Sequence, residues 1–175
     1  FGMSVNMCTT NFSYFISKYG TEQQRKKFIP PVIQGDQLAA FCMTEPEAGS
    51  DALSIKTSYR KKGAEYILNG SKTFITNAPI AKYFLVVARQ EGSVGAKGGT
   101  LFILERDMEG LSTGKPFQKM GMRCSPTGEV FIDNVMVSKE SILGEEGKGF
   151  QIMFEALDEE RILGASNSIG IGQAC

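Results

Sequence analysis

The chain has 175 residues, 42% hydrophobic and 22% charged, which is enough for one substantial core and excludes a disordered polypeptide. Its 19 Lys and Arg balance 19 Asp and Glu, and this neutrality excludes the basic footprint of a nucleic-acid or anionic-membrane binder. Histidine is absent, which removes Ser-His and Cys-His nucleophiles and the commonest metal ligand. Cys8, Cys42, Cys124 and Cys175 are too widely spaced for a metal knuckle or a redox dithiol, so reduced structural thiols and no metal site are expected. No apolar run approaches the roughly 20 residues that span a bilayer, and no basic-then-apolar signal opens the chain, which predicts a soluble protein.

In chain order, residues 1–35 read as helical. Phe12, Phe15, Ile16 and Tyr19 recur at spacings of three and four, and Tyr19-Gly20 closes the segment. Thr21 and Gln24 match a capping box that starts a second helix, and Pro30-Pro31 is expected to stop it. A turn at Gly35 then leads into a strand over residues 38–43.

From Leu38 to about Val137 the pattern is that of an all-β domain. Short strands are predicted at 56–60, 65–68, 73–76, 83–89, 100–104 and 129–132. Asn69-Gly70 predicts a two-residue hairpin turn, because both residue types tolerate positive φ. Residues 92–99 read as an exposed hairpin loop rather than a phosphate cradle, since no helix pattern follows them. After Gly149 the helical period returns with Phe150, Met153, Phe154 and Leu157, and that helix is still running at Cys175. Together with the start at Phe1, this predicts part of a larger protein.

Three places carry candidate chemistry. Thr44-Glu-Pro-Glu-Ala-Gly-Ser-Asp51 follows the apolar run 38–43. Pro46 ends a ladder, Gly49 permits close backbone approach, and Thr44 and Ser50 supply hydroxyls beside freed strand-end amides. It reads equally as a ligand loop or as a capped polar turn. Phe74-Ile75-Thr76 reads on its own as an ordinary strand end. In Asp158-Glu-Glu-Arg161, Glu160 and Arg161 continue the stripe of Met153, Phe154 and Leu157. Burying unpaired charge costs several kcal/mol, so either this face is a solvated, salt-bridged one or the charges serve a purpose.

Phe41 to Asp51 resembles the flavin-binding signature of the acyl-CoA dehydrogenases. The register continues through Lys56-Thr57, residues 68–76, Lys119-Met-Gly-Met122, residues 143–150 and residues 157–161. The resemblance implies an α+β arrangement in three parts: residues 1–36 ending an amino-terminal helical domain, 37–140 a central antiparallel barrel- or sandwich-like β-domain, and 141–175 opening a carboxyl-terminal helical domain. It implies FAD held by Phe41, Met43, Thr44, Gly49, Ser50, Phe74, Ile75 and Thr76. Ser50, Asp158 and Arg161 are implied to contact the acyl-CoA substrate. Glu47 stands where the family usually has Gly, and Lys56 and Thr57 are expected on a solvated edge strand.

The implied reaction is α,β-dehydrogenation of the thioester, with electrons passing to an electron-transfer flavoprotein. The base is either Glu160, as in the isovaleryl and long-chain branches, or a Glu beyond Cys175. A homotetramer or homodimer is implied, located in the cytoplasm or, in a eukaryote, the mitochondrial matrix. The alternatives are an enoyl-CoA reductase or another flavin oxidoreductase on this scaffold, or a non-catalytic β-domain that binds no flavin alone.

Overall fold

A computed structural model describes residues 2–175. Helix α1 (Gly2–Asn6) runs into a π-helical stretch (Met7–Ser13) and then α2 (Tyr14–Tyr19). The predicted apolar positions Phe12, Phe15 and Ile16 are buried. Helix α3 (Glu22–Ile33) opens with the expected capping box: Thr21 Oγ1 accepts from Gln24 N–H at 3.2 Å, and Gln24 Oε1 accepts from Thr21 N–H at 2.9 Å. Pro30 and Pro31 do not stop this helix but lie inside it. They remove two amide donors, yet the Pro30 carbonyl still accepts from Gln34 N–H at 3.0 Å, so the last turn closes. Gly35, at φ +83°, makes the expected turn.

An eight-stranded sheet follows: β1 (Ala39–Cys42), β2 (Ser58–Lys62), β3 (Glu65–Thr76), β4 (Tyr83–Gln90), β5 (Gly99–Glu105), β6 (Leu111–Thr113), β7 (Thr127–Ser138) and β8 (Ile142–Leu143). The order is β6-β7-β3-β2-β4-β5-β8, with β1 paired to β4 off that path. The expected β-domain with flanking helices is present, but its sheet is mixed, because β1 and β2 both run parallel to β4.

The hairpin expected at Asn69-Gly70 is a correction. β3 runs straight through these residues, pairing with β2 and β7 on either side, and its register against β7 shifts between Leu68 and Gly70. The turn lies at Gly63-Ala64, between paired Lys62 and Glu65, with positive φ at Gly63. Gly70 serves a different end. At φ +150° its backbone presses against Thr57, whose Cα would lie 2.6 Å from any added Cβ. Residues 91–98 form the expected loop between antiparallel β4 and β5.

β4 alternates between two cores. Leu85 and Val87 face the helices with Phe12, Phe28, Leu101 and Ile103. Phe84, Val86 and Ala88 face a second cluster that includes Tyr59, Leu68, Phe102, Val130 and Val135. With both faces covered, β4 reads as a continuous apolar run. Helix α4 (Gly149–Ala174) closes the helix-side core with Phe150, Ile152, Met153 and Ala156. Phe154 was expected on that stripe but is 41% exposed, because Ile152 and Ala156 set the buried face one position round. Among the described residues, no helix is long and apolar enough to cross a membrane.

Gly70→Ala should destabilise the chain by about 1–3 kcal/mol through the clash with Thr57. Urea unfolding of both forms measures this, and an unchanged midpoint would contradict the close-approach reading.

Candidate functional site

β1 ends at Cys42, paired with Val86, and the chain leaves the sheet through Met43, Thr44 and Glu45. Two charges fasten this exit. Lys72, on β3, has a fully buried side chain, and its ammonium donates to Glu45 Oε1 at 2.9 Å and to the Met43 carbonyl at 3.0 Å. The Glu45 carboxylate, 5% exposed, also accepts from Lys56 N–H at 2.6 Å and Thr57 N–H at 3.0 Å. Backbone bonds complete the join: Thr73 N–H donates to the Thr44 carbonyl at 2.9 Å, and Glu45 and Ala48 exchange bonds across the turn.

Burial alone would raise the Glu45 carboxyl, but Lys72 and the amide donors outweigh it and hold Glu45 below the ordinary carboxylate range. Burial presses the Lys72 ammonium below its ordinary range, against the pull of Glu45. The Cys42 thiol beside them is pushed up to about 12 by burial, so it is no nucleophile.

The same contacts set the loop against the end of β3. Phe74 stands at φ +57°, 68% exposed, with its ring 5.5 Å from that of Phe117. A bulky residue in this conformation is strained, and such strain concentrates at ligand sites. Ile75 is buried in the sheet core, so only its backbone can meet a ligand, while Thr76 is half-buried. Thr44 N–H lies beyond the end of the β1–β4 ladder and has no acceptor among the described residues. An exposed aromatic ring, a spare amide and threonine hydroxyls on one rim fit a flat heteroaromatic group with polar edges.

The structure brings together Thr44, Phe74, Ile75 and Thr76. Phe41 and Met43 turn half-buried side chains to the helix-side core, and the Phe41 ring stacks on Phe15 at 5.3 Å. Gly49 and Ser50 are exposed at the loop tip, and an added Cβ at Gly49 meets nothing within 4 Å. Glu47 points outward and pairs with Lys56. Thr57 is a correction: it is fully buried beneath the loop, not on a solvated edge.

The acidic segment of α4 sits elsewhere. Asp158 and Arg161 have side chains 79% and 75% exposed and pair with each other at 3.1 Å, so Arg161 does not continue a buried stripe. Glu160 is half-buried and accepts from Asn11 Nδ2 at 3.2 Å. It lines a groove of about 280 Å³ between the π-helical stretch and α4, with Met7, Thr10, Asn11 and Leu157. A larger cleft between α3 and residues 138–146 contains none of the candidate cofactor, substrate or catalytic residues.

Sequence reasoning passed over Glu45, Lys72, Asn11 and Asn77. Asn77, at φ +67°, donates from Nδ2 to the Ser4 and Ala39 carbonyls at 3.0 Å each, tying α1 to β1 just after Thr76. A lysine inside a strand was the one available signal for Lys72. For Asn11 and Asn77 there was none, since both act on carbonyls or carboxylates distant in the chain.

Lys72→Met alone should cost about 3–5 kcal/mol by stranding a buried carboxylate, and Glu45→Gln added to it should recover much of that loss. A carboxyl held below its unfolded range contributes stability that is complete above that range and is lost as pH falls through its folded value. The urea midpoint of the native chain should therefore fall as pH drops below the ordinary Glu value of 4.5. A variant without Glu45 should show less of that fall; identical acid profiles would contradict the assignment.

Comparison with known proteins identifies the family. Residues 40–135 match the model of the acyl-CoA dehydrogenase middle domain. A 3-(aryl)acrylate reductase of Clostridium sporogenes is 47% identical over 155 residues, covering 89% of this chain and 41% of that protein. The structure of a glutaryl-coenzyme A dehydrogenase in complex with glutaryl-CoA superposes with a TM-score of 0.93 at 38% identity, over 99% of this chain and 44% of that one. An acyl-CoA dehydrogenase from Bacillus anthracis complexed with FAD gives a TM-score of 0.77 at 41% identity, over 83% of this chain and 24% of that one. The first curated relatives are matched over 41–42% of their own length, so the chain spans less than half of them. The chain belongs to the acyl-CoA dehydrogenase family, and its β-domain is that family's middle domain.

Proposed function

We propose that these residues form the central part of a flavin-dependent acyl-CoA dehydrogenase. Residues 1–36 end its amino-terminal helical domain, 37–140 are its middle β-domain, and 141–175 open its carboxyl-terminal helical domain. The observation that carries this reading is the junction of Thr44 with Phe74, Ile75 and Thr76, joined through Thr73 N–H and the Thr44 carbonyl at 2.9 Å.

FAD bound on this rim would supply the acceptor for the β-hydrogen of an acyl thioester as hydride. Phe74 would pack on the ring, and the Thr44 amide and the Thr44 and Thr76 hydroxyls would bond its polar edges. Gly49 and Ser50, at the loop tip, leave room for the cofactor and the thioester arm, while Phe41, Met43 and Ile75 contribute backbone. Asp158 and Arg161, exposed on α4, would meet the coenzyme A part, where a guanidinium suits phosphate or ring acceptors. Glu160 is the candidate base for the α-proton; the groove beside it and the Asn11 donor hold its carboxylate in one place. An electron-transfer flavoprotein is the proposed acceptor of the electrons, and a homo-oligomer the proposed assembly. The 47% identity to a 3-(aryl)acrylate reductase favours one second reading, the same chemistry run toward reduction of an α,β-unsaturated acyl compound.

Anaerobic titration of the full-length holoprotein separates these readings. Bleaching of the flavin by a saturated acyl-CoA supports dehydrogenation. Absence of bleaching, with reoxidation of dithionite-reduced flavin by an enoyl-CoA, supports reduction. A protein that retains no FAD overturns both. Glu160→Gln should abolish proton abstraction and leave flavin content unchanged, and retained turnover would move the base elsewhere.

A further inference from the structure

The Lys72 ammonium does more than neutralise Glu45. Its second hydrogen bond, at 3.0 Å, goes to the carbonyl of Met43. That carbonyl and the Thr44 N–H belong to one peptide unit, and this N–H is the one left without an acceptor at the rim. A cation bound to the oxygen of a peptide draws electron density from its nitrogen and makes the N–H a stronger donor. Lys72 is excluded from water, so solvent does not screen this contact. Glu45 also accepts from the Lys56 and Thr57 amides, so its charge is shared among three donors.

We infer that Lys72 is a positioning and tuning residue for the cofactor. Through the Met43–Thr44 peptide it presents a polarised amide to the flavin edge and favours the reduced, more electron-rich ring over the oxidised one. This rests on the flavin reading above and adds to it a residue that touches neither cofactor nor substrate. A purely structural tie would secure the loop but leave the redox balance untouched.

The test is the midpoint potential of bound FAD in the full-length protein, measured by dye-equilibrated reduction. Wild type is compared with two charge-free replacements of the pair, Lys72→Met with Glu45→Gln, and Lys72→Leu with Glu45→Leu. Replacing a buried ion pair by groups of similar volume is often tolerated, so at least one should fold. The expected result is a lower potential, with the reduced-to-oxidised equilibrium falling roughly tenfold, or about 30 mV for a two-electron couple. An unchanged or raised potential in a folded, flavin-loaded variant would overturn the inference. So would loss of flavin from both variants with their folding intact, because the pair would then serve binding alone. Failure of the wild type to hold FAD would instead strike the functional reading.

Discussion

The buried pair of Glu45 and Lys72 is the constraint on which the rest of the site depends. A strand that leaves its sheet frees amides and carbonyls, and a polar loop of this kind has many conformations open to it. Here one carboxylate gathers two backbone amides and an ammonium, and that ammonium also holds a carbonyl on the departing strand. The pair reaches from the end of β1 to the middle of β3, so the loop and the strand end bearing Phe74 are set as one piece. Buried ion pairs give little net stability, and what this one secures is geometry.

The scaffold around it divides the labour between two cores. The alternation along β4 sends Leu85 and Val87 toward the helices and Phe84, Val86 and Ala88 into the sheet's own interior, so the sheet is rigid on both faces. Asn77 then ties α1 to β1 immediately beyond Thr76. The π-helical stretch brings Asn11 against α4, where it meets Glu160. Helical segments of this type are rare and recur at functional sites. The rim and the acidic segment of α4 are thus carried by different elements of one framework.

Much of this was legible in the residues. The helix–sheet–helix order, the capping box at Thr21, the strand at 83–89 and the loop at 92–99 follow from local propensity and period. The family resemblance of residues 41–51 and 68–76 implied that Thr44 and Phe74 lie together, and the two segments do adjoin through Thr73 N–H and the Thr44 carbonyl. The errors share one cause, which is tertiary contact overriding a local signal. Asn69-Gly70 has hairpin chemistry, but close packing on Thr57 claims the glycine and β3 runs on. Pro30 and Pro31 fall in a last turn that closes without their amides. Thr57 looked like an edge residue, yet the Glu45 carboxylate draws it under the loop. The positive φ of Phe74 is written in no residue type, since it depends on the bulge of β3 against β7 between Lys72 and Ile75.

The central claim is that this pair prepares a rim with one amide held in reserve. Amide hydrogen exchange of the full-length protein, with and without FAD, tests it most directly. Thr57 and Thr73, already bonded within the protein, should be protected in both states, and Thr44 should gain protection only when FAD is added. Exchange at Thr44 that is indifferent to FAD, or Thr57 and Thr73 unprotected until FAD binds, would contradict the account.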